Sequence, residues 1–333
     1  MTHVAILTGA TGQDGSYLSE LLLEKGYTVF CMVRRSTYPI QSSNLTTLTL
    51  ENPKLRLFDA DLTDQSSVMR VFQDADTFDV IEVYNLAAQS HVATSFECPK
   101  LTMETNVVGT LNLLEAIRQS GLLQKVRFYQ ASTSEMFGKV REVPQTERTQ
   151  FYPRSPYGVS KVAAHWLVIN YRESYGLFAC CGILFNHESP RRGANFVTQK
   201  IVKALSGPNP RLHIGNLDAR RDWGHAKDYV RAMWLMLQQG EPGDFVVSTG
   251  EQHSVREFVE RVCEIRGISL TWRGSGLDEI GVDQHGTTIV SVSEQFYRPC
   301  EVDTLLGDCS KIQSIGWKRE YSFDDLVKNM CVL

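Results

Sequence analysis

Tyr157 and Lys161 stand in the order Y-x-x-x-K near the start of a helical pattern that runs from Pro156 to Tyr175. Four residues apart on a helix, the two side chains leave one face a single turn from each other. An ammonium beside a phenol favours the phenolate, lowering the pKa of Tyr157 towards the range of a working base, and Lys161 can also hydrogen-bond a ribose. Upstream, the run Ala131-Ser132-Thr133-Ser134-Glu135-Met136-Phe137-Gly138 puts hydroxyls and a carboxylate beyond the end of a strand-like segment, the edge at which open α/β sheets bind ligands. A hydroxyl alone would hold a carbinol for oxidation. The carboxylate two residues further on adds a second acid/base group, so Thr133 with Glu135 points to elimination as well as oxidation.

Oxidation needs a hydride acceptor, and the sequence offers a place for one. Gly9-Ala10-Thr11-Gly12-Gln13-Asp14-Gly15 lies between the first strand-like run and the first helical pattern. Glycines let the backbone turn tightly and approach a pyrophosphate, and the following helix N-terminus offers free N–H groups and partial positive charge. At the end of the second strand, where an NAD enzyme carries an acidic residue for the ribose 2′-hydroxyl, stand Arg34 and Arg35. Guanidinium groups pair with a 2′-phosphate, so NADP is the expected cofactor. Asp61 and Leu62, after the third strand, fit an adenine-edge contact. Leu86, Ala87, Ala88 and Gln89, after the fourth, let a cofactor lie across the sheet, and Ser90 is expected on the substrate side.

These groups need a frame, and the periodicity provides one. Apolar runs at Val4–Leu7, Thr28–Val33, Leu55–Phe58, Val80–Tyr84, Val126–Tyr129 and Phe178–Leu184 alternate with helical patterns at Ser16–Lys25, Gln65–Asp74, Leu101–Gln119 and Pro156–Tyr175. Continuous apolar strands separated by helix-length segments require a parallel sheet covered on both faces, hence a doubly wound α/β, Rossmann-type fold. After Asn186 the rhythm breaks into shorter elements. The expected division is a dinucleotide-binding domain over 1–186, with later segments crossing back to it, and a smaller C-terminal α/β substrate domain over 187–333.

The 333 residues carry a net charge of −4 with basic residues scattered, which gives no footprint for nucleic acid or an anionic membrane. No run approaches the roughly 20 apolar residues of a spanning helix, and a strand-like run begins at His3, so a cytoplasmic location is expected. Eight cysteines without a C-x-x-C pair indicate reduced thiols and no metal site.

Taken together, the glycine loop, Thr133-Ser134-Glu135 and Tyr157-x-x-x-Lys161 resemble an extended short-chain dehydrogenase acting on a nucleotide sugar. Longer strings narrow this: GATGQDGSYL from Gly9, FYPRSPY from Phe151, GILFNHESPRRG from Gly182, GEQHSVREFV from Gly250 and RPCEVDTLLGD from Arg298 resemble the GDP-mannose 4,6-dehydratase family over nearly the whole length. The resemblance implies a redox-neutral dehydration. Tyr157 would take the 4-hydroxyl proton while hydride passes from C4 to NADP, with Thr133 holding that hydroxyl and Lys161 tuning the tyrosine. Glu135 would remove the C5 proton and protonate the departing 6-hydroxyl, hydride would return to C6, and GDP-4-keto-6-deoxymannose would form. It also places His187 and Arg192 by the nicotinamide, Asn186 by the sugar diphosphate, and Arg298 and Glu301 at the ribose and guanine. Val197 and Lys200 would line the cleft. Arg220 suits the diphosphate because a planar guanidinium matches two phosphate oxygens, with Asp222 and Trp223 bracing its loop. A homo-oligomer, dimer or tetramer, is expected.

Two places depart from the family pattern. Ser36 to Thr47 lacks a further arginine found in members whose loop reaches a neighbouring subunit, and Leu101 stands where a tyrosine is usual beside the cofactor. Rival readings are a dehydratase of another GDP-sugar such as a GDP-manno-heptose, an epimerase, a reductase, and a non-catalytic NADP-binding module.

Overall fold

The computed structural model describes residues 1–36, 39–296, 302 and 304–332. Its centre is a seven-stranded parallel sheet: β1 (His3–Thr8), β2 (Thr28–Val33), β3 (Leu55–Asp59), β4 (Val80–Asn85), β5 (Val126–Thr133), β6 (Phe178–Leu184) and β7 (Asp244–Val247). The spatial order is β3-β2-β1-β4-β5-β6-β7. The chain therefore reverses its direction of travel across the sheet beside β1, which opens a crevice at the carboxyl ends of β1 and β4.

Alternation along each strand explains the unbroken apolar runs. On β1, Val4 and Ile6 join Phe30, Ile81, Val83 and Phe128 on one face, where Val68 and Phe72 of α2 (Gln65–Ala75), Leu113 and Ile117 of α3 (Gly109–Gln119) and Val168 of α4 (Pro156–Tyr175) cover them. Ala5 and Leu7 turn to the other face, under Leu18 and Leu22 of α1 (Gln13–Glu24). Both faces are buried, as parallel crossovers demand.

Residues beyond Asn186 contribute to both regions. Helices α5 (Val197–Leu205), α7 (Val255–Ile265) and α8 (Phe323–Cys331) enclose a separate core around Ile201, Phe258, Val262 and Met330. Meanwhile β7 joins the edge of the main sheet, and Val230, Met233 and Met236 of α6 (Ala226–Leu237) pack against the same face as α1. Capping boxes at Ser254/Glu257 and Ser322/Asp325 start α7 and α8.

One helix expected from the sequence is interrupted. Between Leu101 and Gln119 the chain forms a short helix, Pro99–Met103, then a π-helical turn, Glu104–Val108, before α3. Thr105, Val107 and Val108 are weak helix formers, and the wide turn lets the Asn106 amide serve the site instead of solvent. No described helix is long and apolar enough to cross a membrane.

Candidate active site

The catalytic candidates meet where β5 ends and α4 begins. Thr133 closes β5, Glu135 follows in a single 3-10 turn, and Ser155 caps α4 by accepting from the Gly158 amide. This start, with Pro156 in the first helical turn, fixes Tyr157 and Lys161 on the buried side of α4, where Tyr157 is 8% and Lys161 5% exposed. Burial pushes the Tyr157 phenol up to about 12, opposed by a hydrogen bond from Thr133 and by the Arg192 charge, and reinforced by Glu135. The lysine does not produce the depression expected from its spacing. Its Nζ lies 6.0 Å from the Tyr157 ring centre and donates to the Ala131 carbonyl over 2.7 Å, while burial pulls its own pKa down to about 8.

The glycine loop is shaped for a phosphate-bearing ligand. Gly9 takes φ +69°, and a Cβ there would stand 2.9 Å from the Ala87 amide nitrogen. A Cβ on Gly15 would meet the Ala10 Cα at 2.6 Å, so loop and helix fit only with glycine. Gly12 is the N-cap of α1 and supplies no side-chain acceptor, which leaves the first amides of the helix for an anion. These features fit a dinucleotide pyrophosphate beside the partly buried Thr11. Gln13 is held away from solvent: its side chain donates to the His187 carbonyl at 3.1 Å and accepts from Ser189 at 2.8 Å.

The remaining cofactor candidates lie along the same edge. Arg34 and Arg35 are exposed just past β2, with Arg35 3.4 Å from Asp59 in an open ion pair. Three strand spacings, about 14 Å, separate β2 from β5, so the arginines and Tyr157 could serve opposite ends of an extended ligand. The Asp61 carboxylate accepts from the amide and hydroxyl of Thr63, and the Leu62 carbonyl accepts from Asn112. Thr8 accepts from the Leu86 and Ala87 amides. Ala88 and Gln89 follow, with the Gln89 side chain donating to the His91 carbonyl and to Thr102. Ser90 is exposed.

The segment after β6 bridges this loop to the later core. Residues 186–188 pair in parallel with 223–225, which places Asn186 opposite Trp223. His187 lies 2.8 Å from Asp14, and Arg191 reaches Ser16 and Glu20 of α1. Arg192 forms a 3.0 Å ion pair with the buried Glu188 and lies over the Phe196 ring. On α5, Val197 is exposed and Lys200 Nζ sits 3.3 Å from the centre of the Phe296 ring. Arg220 is exposed on the two-residue strand Arg220–Arg221 and donates to the Gln252 carbonyl. Asp222 braces that strand by accepting from Thr249 and Gly250. Arg298 and Glu301 lie outside the described residues.

Two positions not singled out from the sequence hold the site together. The Asn106 amide accepts from the Gln89 N–H and donates to the Gln89 carbonyl and to Ser160, joining the loop after β4 to α4. Glu188, which also accepts from Thr198 at 2.6 Å, orients Arg192. The Glu-x-x-x-Arg spacing was visible in the sequence; the role of Asn106 depended on an irregular turn that periodicity does not encode. Among the described residues no group of three His, Cys, Asp or Glu side chains could hold a metal ion.

A family model described as GDP-mannose 4,6 dehydratase matches residues 6–330. The chain belongs to the GDP-mannose 4,6-dehydratase family. Among its relatives, the GDP-mannose 4,6 dehydratase of Cricetulus griseus is 52% identical over 98% of this chain and 90% of that protein. The GDP-mannose 4,6-dehydratase of Yersinia enterocolitica is 50% identical over 98% of this chain and 92% of its own length. Among solved structures, a Thermus thermophilus UDP-glucose 4-epimerase in complex with NAD superposes with a TM-score of 0.79 at 27% identity, covering 98% of this chain and 97% of that one. The fold is also that of a Bacillus anthracis dTDP-glucose 4,6-dehydratase, TM-score 0.80 at 20% identity over 99% and 96% of the two chains. This member of the GDP-mannose 4,6-dehydratase family thus keeps a frame shared by nucleotide-sugar epimerases and dehydratases.

Proposed function

We propose that the protein dehydrates GDP-mannose to GDP-4-keto-6-deoxymannose. The observation that carries this reading is the grouping of Thr133, Glu135 and Tyr157 at one sheet edge beside the glycine loop, in a chain whose curated relatives bear the name of that activity. A bound nicotinamide dinucleotide supplies the acceptor for a hydride from C4 and the donor that restores it at C6, so no reductant is consumed.

The chain's own groups move the protons. Thr133 positions the 4-hydroxyl, and Tyr157 takes its proton. Burial disfavours the phenolate, and the Thr133 hydrogen bond and the Arg192 charge partly offset that cost. Lys161, fixed by Ala131, holds the ribose side of the cofactor. Once C4 is a ketone, C5 is acidic; Glu135 removes the C5 proton and protonates the departing 6-hydroxyl, and C5 is reprotonated after water has left.

NADP is the proposed cofactor because Arg34 and Arg35 follow β2 and guanidinium groups there, unlike a carboxylate, would favour a 2′-phosphate. Arg220, Lys200, Val197, Asn186 and Ser90, with Arg298 and Glu301, are assigned to the GDP-sugar, and His187 and Arg192 to the nicotinamide side. A homo-oligomer in the cytoplasm completes the reading: Val159 and Trp166, two turns apart on α4, are 42% and 57% exposed and suit a contact between copies.

Incubation with GDP-mannose and catalytic NADP, followed by mass spectrometry, tests the reading. The expected product lacks the mass of one water, without accumulation of NADPH. Turnover of a GDP-heptose but not of GDP-mannose would move the substrate, and inertness towards both would overturn the assignment.

A further inference from the structure

Asp14 stands in the first turn of α1, the helix end assigned above to the cofactor pyrophosphate. Aligned peptide dipoles put only about half a positive charge at a helix N-terminus. A bare carboxylate there would reverse the sign of the site and repel the ligand it serves.

The partner of that carboxylate resolves the conflict. His187 Nε2 lies 2.8 Å from Asp14 Oδ2, and Nδ1 lies 2.7 Å from the Phe185 carbonyl oxygen. A carbonyl and a carboxylate only accept hydrogen bonds, so both ring nitrogens donate, and only the imidazolium carries two N–H groups. The other Asp14 oxygen accepts from Gln13 Nε2 at 3.0 Å, as an ionised carboxyl should. Burial alone would lower the His187 pKa; the Asp14 charge together with the hydrogen bonds to Asp14 and to the Phe185 carbonyl outweighs it and raises it, while Asp14 is held below the usual carboxyl range. The other groups facing His187 are Arg192, whose charge opposes its protonation although it pairs with Glu188, Tyr229 of α6, stacked at 4.4 Å, and His225 from the 223–225 strand. Arg191 and Glu20 pair with each other further along α1.

We propose that His187 is a positioning residue for cofactor binding: its imidazolium cancels the Asp14 carboxylate and leaves the N-terminus of α1 positive for the pyrophosphate, so that cofactor affinity depends on the His187 proton. The inference rests on the cofactor site proposed above. It goes beyond a contact between His187 and the nicotinamide, because it assigns the side chain an electrostatic task at the other end of the loop.

The test is the dissociation constant of NADP, measured by calorimetry from pH 6 to pH 9, for the wild type, Asp14→Asn, His187→Asn and the double variant. The wild-type constant is expected to rise with pH once His187 deprotonates, approaching about tenfold per pH unit, and this rise should vanish in Asp14→Asn. Titration of the NADP 2′-phosphate is common to all four proteins and cancels in the comparison. His187→Asn should weaken binding by about tenfold or more at the acid end of the range, where the wild-type imidazole is protonated, with the gap closing as pH rises, and removing Asp14 as well should restore it. A purely structural histidine would give a double variant as weak as His187→Asn, and that result overturns the proposal, as does an unchanged slope in Asp14→Asn. Nitrogen-15 spectra of the unaltered protein give a second reading: His187 should show two protonated ring nitrogens at neutral pH, and a neutral tautomer there contradicts the inference. Absence of NADP binding by all four proteins would instead sink the cofactor site itself.

Discussion

Lys161 donates its ammonium to the Ala131 carbonyl across 2.7 Å, tying the helix that carries Tyr157 to the strand that carries Thr133. The bond sits in an environment that disfavours the charge it uses, because burial lowers the lysine pKa from 10.5 to about 8. A depressed lysine contributes stability above its unfolded pKa and loses it as pH falls through the folded one. The wild type should therefore gain stability relative to Lys161→Met between pH 8 and pH 10.5, by about 3 kcal/mol at most. Urea unfolding of both proteins across that range measures the difference; parallel curves would show that the lysine is not strained by burial.

Tyr157→Phe should reduce turnover of GDP-mannose by roughly 10²–10⁴-fold, the usual worth of a positioned acid or base. NADP affinity, measured by calorimetry, should stay within a few-fold. Near-normal turnover would exclude the proton transfer assigned to the phenol and revive the reading of a binding module.

Glu135→Gln separates the two halves of the reaction. The variant should lose elimination by roughly 10²–10⁴-fold, and NMR in deuterated water should detect little solvent deuterium entering C5. Wild-type C5 exchange in the variant would assign the base to another residue.

Replacing Arg34 and Arg35 with alanine should weaken NADP binding by roughly 10–100-fold, as charge-assisted hydrogen bonds are worth about 1.5–3 kcal/mol. NAD binding should change little. Equal loss for both cofactors would place the 2′-phosphate elsewhere.

The parallel sheet was legible because its strands are unbroken apolar runs with both faces covered, and Val4 to Leu7 alternate between two cores as that pattern requires. The glycine loop was legible for a similar reason, since Gly9 and Gly15 each answer a local steric demand. Electrostatics were less so. Four-residue spacing put Lys161 and Tyr157 on one face, but the lysine's hydrogen bond to Ala131 and the cost of burial are tertiary facts. Nor could spacing reveal that Asn106 turns inward from a π-helical turn to grip the loop at Gln89.

In the proposed dehydration, hydride leaves C4 and returns to C6 of the same sugar. GDP-mannose deuterated at C4 tests it in one experiment, with the product read by NMR and mass spectrometry. Deuterium is expected at C6, with a proton from solvent at C5 and no label in the free cofactor. Deuterium retained at C4, or released into the cofactor pool, would contradict it.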